Sequence, residues 1–326
     1  MRYLITGGLG VVGSCIVRKL LSDGNNSVVI FDSCEEIRNH WIHDSLRYLS
    51  ALGVWKERIE ISKGLVGQFV RESDAVIHCA ASTGIPYSVT EPNDDWERNV
   101  DATRVLLEAL RKTPKPTVVL SSVKPYRVDP LPPSGLDESV PLEPDEPYAA
   151  SKAAQSMLCM AYAKSYDLPI VTFRCSNLYG PAPCHGPRHG WLTWFCISAA
   201  IGRPIEVQGT GEQSRDMLYA DDVYNACMVA LENASRLKGE VFNIGGGKNN
   251  QITVSTAAEL LRNRTGVEIK KGPPRAMDDD HVFVNYGKFL KATGWRPYVN
   301  VEQGISNVLK WAQINKSALE EIYRDV

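Results

Sequence analysis

The 326-residue sequence predicts an α/β fold, a doubly wound parallel sheet with a smaller C-terminal lobe. Three observations carry this. Short apolar runs alternate with amphipathic helical stretches through the first half. The runs are near-continuous in hydrophobicity, as strands covered on both faces must be. The first run also passes through a cluster of glycines directly into a helical stretch.

Candidate strands cover 3–6, 27–31, 57–62, 75–79, 117–121 and 170–174, and candidate helices cover 12–22, 96–112 and 148–166. This alternation is the pattern of a doubly wound sheet. Residues 129–147, rich in proline and acidic side chains, read as a loop over the site. Beyond about position 178 the pattern is less regular, with helices at 191–201, 221–233 and 253–265 and a loop at 273–280. A nominal boundary divides 1–178 from 179–326, with the chain expected to cross back to the first lobe.

A net charge of −2 gives no reason to expect a nucleic-acid or membrane-surface partner. No apolar run approaches membrane-spanning length. The chain opens on a strand and glycine loop rather than a basic segment and apolar core, so no removable leader is expected. Eight cysteines occur, none in a Cys-x-x-Cys pair and most within apolar runs. They read as reduced, buried thiols of a cytoplasmic protein. Cys175 lies near the candidate pocket by its neighbours, and a catalytic role is not favoured there. His185 and His189 are separated by Gly186 and Pro187, so a loop is favoured there and no metal site is expected.

The glycine loop places Gly7, Gly8, Gly10 and Gly13 between a strand and a helix. Glycine lets peptide N–H groups approach a pyrophosphate at a helix N-terminus. The second strand ends in Asp32, whose carboxylate can accept from an adenosine ribose diol. A 2′-phosphate would meet that carboxylate, so NAD is preferred to NADP, with Arg38 the one cation near enough to oppose it. Tyr148 and Lys152 are four apart, on one face of a helix. A free phenol titrates at roughly 10, and a nearby ammonium favours the phenolate that general-base work requires. Ser121 and Ser122 end a strand; neighbours there point to opposite faces, so one serves the site, and the register against Tyr126 favours Ser122.

These residues resemble the extended short-chain dehydrogenase/reductase family, in its branch of NAD-dependent nucleotide-sugar epimerases and dehydratases. The resemblance rests on TGGLGVVG from Thr6, HCAA at His78, NVDATRVLLEAL from Asn99 and SSVKPY at Ser121. It continues through YAASK, RCSNLYGP at Arg174, GTGEQSRDMLYADDV from Gly209, FNIGGG from Phe242 and GWRP from Gly294. It implies a Rossmann fold and NAD held by Gly7, Gly10, Val11, Val12, Gly13, Asp32, Ala80, Ala81, Asn99, Tyr148 and Lys152. It implies a catalytic group of Ser122, Tyr148 and Lys152. Thr83, Lys124, Asn177, Trp191, Arg215 and Arg275 fall at substrate positions, with Asn177 and the two arginines on the nucleotide diphosphate. Trp191 and Trp194 are either core or flank the base. Leu65 stands where relatives often carry an acidic residue near the adenine.

The two residues after Ser122 separate reactions. Family 4,6-dehydratases carry an Asp-Glu pair there, a base and an acid for elimination; this chain has Val123 and Lys124. Lysine at that place resembles the CDP-paratose 2-epimerase subgroup, as do 44–53 and 189–195, although Pro125-Tyr126-Arg127 departs from that subgroup's loop. Lys124 either binds a sugar hydroxyl or phosphate or is a solvated loop residue. The expected function is therefore an NAD-dependent nucleotide-sugar epimerase working through a keto sugar, at C4 as the commoner reaction, with C2 open. A dehydratase with unusual acid–base groups, a reductase, and a non-catalytic NAD-binding sensor are the alternatives. The family's dimer helices match those near Trp96 and Tyr148, so a homodimer is expected. Leu106, Leu107, Leu110, Met157, Met160 and Tyr162 read as apolar residues in excess of one core stripe.

Overall fold

Strand β1 (Arg2–Thr6) buries its last four residues, and the chain turns at Gly7, where φ is 67°, into helix α1 (Val11–Ser22). The computed structural model describes residues 1–32, 65–182, 190–274 and 281–324, and 55–58 as backbone. Arg38, Cys34, Cys184, His185, His189, Lys63, Gly64, Arg275, the stretch 44–53 and most of the expected 273–280 loop lie outside the described residues. After α1 come β2 (Ser27–Asp32), β3 (Trp55–Arg58), α2 (Val66–Glu72) and β4 (Ala75–His78). Next are α3 (Ile85–Thr90), α4 (Pro92–Trp96), a π-turn over Glu97–Asp101 and α5 (Ala102–Lys112). β5 (Thr117–Ser122), α6 (Pro147–Tyr166) and β6 (Ile170–Cys175) follow. The stretch 96–112, expected as one helix, is therefore interrupted. A π-turn inserts a residue into the helical repeat, and such turns gather at functional sites.

The second half contains β7 (Asn177–Tyr179), α7 (Trp191–Ile201), β8 (Ile205–Gln208), β9 (Ser214–Tyr219) and α8 (Ala220–Glu232). It continues with β10 (Val241–Ile244), β11 (Gln251–Thr253), α9 (Val254–Thr265), β12 (Ile269–Gly272) and β13 (His281–Val282). Helices α10 (Gly287–Thr293), α11 (Val301–Ile314) and α12 (Lys316–Ile322) close the chain.

The main sheet has seven parallel strands in the order β10-β6-β5-β4-β1-β2-β3. The chain reverses its direction of travel at β1 and β4, and ligands of such sheets bind outside the strands' carboxyl ends at that point. One face packs Ile5, Ile30, Ile77 and Phe173 under α1 and α8. The other packs Leu4, Phe31, Val76 and Val119 under α2, α5 and α6. The fold is thus a Rossmann-type α/β sheet. α8 and β10 return to it although they lie beyond position 178. Leu106, Leu107 and Leu110 are fully buried in this core, so they are not spare apolar surface; the long leucines face the sheet. A second core gathers α7, α9, α11 and α12.

Asp216 on β9 ties the second half together. Its Oδ1 accepts from Gly246 N at 2.6 Å and Gly247 N at 3.1 Å, and its Oδ2 from Val284 N at 2.9 Å. Burial pushes this carboxyl up to about 7 despite those donors. Among the described residues no helix is long and apolar enough to cross a membrane, and no group of three or more His, Cys, Asp or Glu could hold a metal ion.

Candidate active site

The glycine loop folds back on itself and against the end of β4. A Cβ on Gly7 would lie 2.5 Å from Ala80 N, and one on Gly13 would collide with the Gly7 carbonyl. Helix α1 starts at Gly10 with no side-chain cap, which leaves its first-turn amides, including Val11, Val12 and Gly13, for a ligand. Asp32, at the carboxyl end of β2, accepts from Leu9 N at 3.0 Å and so is fixed beside the loop. Ala80 and Ala81 follow β4 and are half-buried. Asn99 sits in the π-turn, fully buried, its Nδ2 donating to Asp95 Oδ1 at 3.1 Å and Ser151 Oγ at 2.9 Å. Its Oδ1 is buried with no partner among the described residues, an acceptor still owed a donor. Uncapped amides, a carboxylate at the end of the second strand and a spare buried acceptor form a donor and acceptor set that fits a dinucleotide.

Tyr148 lies in the first turn of α6. The Glu146 carboxylate caps that helix, Oε2 accepting from Tyr148 N and Oε1 from Ala149 N, both at 2.8 Å. Ser88 Oγ supports the same turn at 3.1 Å from both Tyr148 N and Glu146 Oε2. Burial raises the Tyr148 phenol above its ordinary value; a hydrogen bond with the Ser122 hydroxyl opposes this, and Glu146 and Asp95 add to it. Ser122 Oγ also accepts from Lys124 N at 3.1 Å. Ser121 faces the other way and donates to Lys152 O at 3.0 Å. One turn on, Lys152 is 3 % exposed, and its Nζ donates to Gln155 Oε1 at 3.0 Å. Burial draws the Lys152 ammonium down to about 8.

Val123 is buried in a small apolar cluster with Tyr126, Leu136 and Val284. Lys124 keeps only 14 % of its side chain exposed, and its Nζ is 3.8 Å from Asp145 Oδ1. It is therefore not a freely solvated residue. Thr83 is exposed on the loop after β4. Asn177 on β7 lies beside Met217 of β9 in the parallel register, and Arg215 on β9 donates to Ser214 O at 2.8 Å. Trp191 opens α7, its ring edge-on to Phe195 at 5.4 Å and its Nε1 buried without a partner among the described residues. Trp194 is core, stacked edge-on to Tyr323. Burial pushes the Cys175 thiol well up, which removes it as a nucleophile.

A family model described as the NAD dependent epimerase/dehydratase family matches residues 3–245. The chain belongs to the NAD-dependent epimerase/dehydratase family. It is 29% identical to a CDP-paratose 2-epimerase of Salmonella typhi, over 95% of this chain and 99% of that protein. It is 31% identical to a dTDP-glucose 4,6-dehydratase of Salmonella typhimurium, over 97% of this chain and 93% of that protein. Among solved structures it is similar to a UDP-glucose 4-epimerase of Thermotoga maritima with UDP-glucose, with a TM-score of 0.83, 27% identity and coverage of 97% and 99% of the two chains.

Three residues around the site of this epimerase/dehydratase family member were not singled out from the sequence. Glu146 lies in the acidic, proline-rich loop, and its partners Ser88 and Tyr148 are 58 and 2 positions away. A carboxylate directly before Pro147, at the first helical position, was the available clue. Gln155 and Asp95 are ordinary helix residues in the sequence; only the fold puts Asp95 Oδ2 2.6 Å from Ser151 Oγ.

Proposed function

We propose that this chain is an NAD-dependent nucleotide-sugar epimerase. NAD, when bound, supplies reversible two-electron redox at the sugar carbon that bears the reacting hydroxyl. The glycine loop, the first turn of α1 and Asp32 would hold its pyrophosphate and adenosine ribose; Lys152 and Asn99 would serve its nicotinamide end. Tyr148 takes and returns the hydroxyl proton, with Ser122 bonded to the phenol as relay. Asn177, Arg215 and Arg275 would grip the diphosphate, with Thr83, Lys124 and Trp191 around the sugar and base.

One observation favours epimerization over elimination. An elimination needs a base and an acid near the keto sugar. Val123 is packed in an apolar cluster. The two carboxylates that act on the Tyr148 phenol are Glu146 and Asp95. Glu146 is committed to the α6 cap, and Asp95 to Ser151 and Asn99. Returning hydrogen with its electron pair to the opposite face of the same carbon, and the proton to its oxygen, needs neither group. Incubation with UDP-, CDP-, GDP- and dTDP-sugars, read by NMR and mass, tests this. The expected product has unchanged mass, inverted at C4, the commoner reaction in this family, or at C2, as Lys124 and the CDP-paratose 2-epimerase likeness favour. Loss of a water mass would replace the epimerase with a dehydratase.

A further inference from the structure

Behind Lys152 runs a chain of side chains that reaches β1, buried throughout: Thr6, His78, Thr103 and Gln155 are 0 % exposed. Thr6 Oγ1 is 2.6 Å from His78 Nδ1, and His78 Nε2 is 3.0 Å from Thr103 Oγ1. Thr103 Oγ1 is 3.0 Å from Gln155 Nε2, and Gln155 Oε1 is 3.0 Å from Lys152 Nζ. Thr103 Oγ1 also lies 2.6 Å from the Asn99 carbonyl.

Donor counting fixes every proton in this chain. A carbonyl only accepts, so the single Thr103 hydroxyl hydrogen goes to Asn99 O. Thr103 Oγ1 must then accept from both His78 and Gln155. His78 therefore carries its proton on Nε2 and accepts from Thr6 at Nδ1. Burial first, then Lys152, holds the ring's acidity at about 3, so it is neutral and has one proton to place. The Gln155 amide cannot turn over: reversed, its oxygen would face an oxygen with no hydrogen to give, and its NH2 would face an ammonium. Its oxygen is locked toward Lys152.

We propose that Gln155 is a positioning residue that holds the Lys152 ammonium, itself locked by Thr103 at the end of this buried chain. The inference deepens the role given to Lys152 above and rests on that reading. The groups facing Lys152 are Asp95 on α4, His78 and Cys79 at the end of β4, Cys175 at the end of β6 and Cys159 on α6. Burial raises all three thiols and keeps them uncharged. Asp95 spends its two oxygens on Asn99 and Ser151. The neutral Gln155 oxygen is thus the acceptor that keeps the buried ammonium charged and aimed.

The test is an NMR titration of the Lys152 ammonium in the full chain labelled with [15N]lysine, the resonance assigned by its loss in Lys152→Met. Gln155→Met should lower the titration midpoint by at least about half a unit, because an unsolvated charge loses its acceptor. Gln155→Glu should raise it, because a carboxylate takes the amide's place, and the alkaline limb of turnover should move in the same direction in each variant. A midpoint unmoved in a folded Gln155→Met overturns the proposal. Where Gln155→Met does not fold, a midpoint that fails to rise in Gln155→Glu overturns it. The midpoint is read without turnover, so a wrong reaction assignment would leave it intact.

Discussion

Glu146 Oε2 accepts the Tyr148 backbone N–H at 2.8 Å, so one carboxylate both starts helix α6 and seats the proposed base. The same charge works against the base. Glu146 adds to the burial that raises the phenol's pKa, and burial raises the Glu146 carboxyl itself against its hydrogen bonds and Lys124. Position and acidity at Tyr148 are therefore coupled through Glu146.

Glu146→Ala removes a helix cap, and loss of a cap typically costs about 1 kcal/mol, within about 0.5–2. Urea denaturation should show that loss. Turnover should fall by about 10- to 100-fold as the phenol loses its seat. Full turnover with lowered stability would confine Glu146 to the scaffold.

Tyr148→Phe removes the proposed base while leaving Lys152 and the glycine loop in place. Turnover should drop at least about 100-fold. NAD binding, followed by calorimetry, should persist. Near-normal turnover would remove Tyr148 from the chemistry.

Gly13→Ala places a methyl group against the Gly7 carbonyl, where there is no space for it. The loop must open and its amides must leave their common target. Affinity for NAD should fall at least about 10-fold, since each tenfold corresponds to about 1.4 kcal/mol and displaced phosphate contacts exceed that. Retained affinity would show that the loop does not carry the cofactor.

Asp216 has its folded pKa raised to about 7, above the unfolded value near 3.9. The folded chain therefore holds this proton more tightly than the unfolded chain. The resulting stability is full below the unfolded value, is lost as pH rises toward about 7, and changes no further above it. Asp216→Asn lacks the titration. The stability of the wild type relative to this variant should fall between about pH 4 and 7, by up to about 1.4 kcal/mol per unit. A difference independent of pH would show that Asp216 stays ionised.

Trp96 on α4 and Met157 and Tyr166 on α6 are each close to half exposed, large apolar side chains on neighbouring helices. We propose that these two helices pair with a second copy of the chain. Light scattering at micromolar concentration should give a dimer mass for the wild type and a monomer mass for Met157→Glu. A monomeric wild type would exclude the pairing.

Strands β1, β2, β4, β5 and β6 were legible because buried parallel strands are written as apolar runs, such as 28–31 and 118–120, and the glycine loop because its spacing is local. The strand expected at 57–62 is described only as β3 at 55–58, and no strand was read beyond 174, where most of β7 to β13 are short. What escaped was what the sequence encodes only across distance. The π-turn over Glu97–Asp101 adds a residue without changing composition, so the helical period runs through it unnoticed. Ser122 could be preferred to Ser121 because strand alternation is a local rule. Gln155 could not be singled out, because its meaning depends on Thr103, 52 positions away. Leu106, Leu107 and Leu110 looked like surplus apolar surface because a helix wheel does not show how wide a sheet face it must cover.

β10 has a consequence for how this protein can be made and cut. Strand β6 is buried at all six positions, and β10, arriving some sixty residues later, is what pairs with its outer edge. A nascent chain emerging from the ribosome cannot complete the seven-stranded sheet until residue 244 has left the tunnel, by which time β7, α7, β8, β9 and α8 have already emerged. A fragment ending near 178 would present β6 as a bare apolar edge, the kind of surface that recruits other chains into aggregates. Exchange of the second half between relatives, as a cassette joined at one point, would carry the sheet's last strand away with it. Recombination that respects the fold needs two junctions, leaving α8 and β10 with the parent that supplies β6.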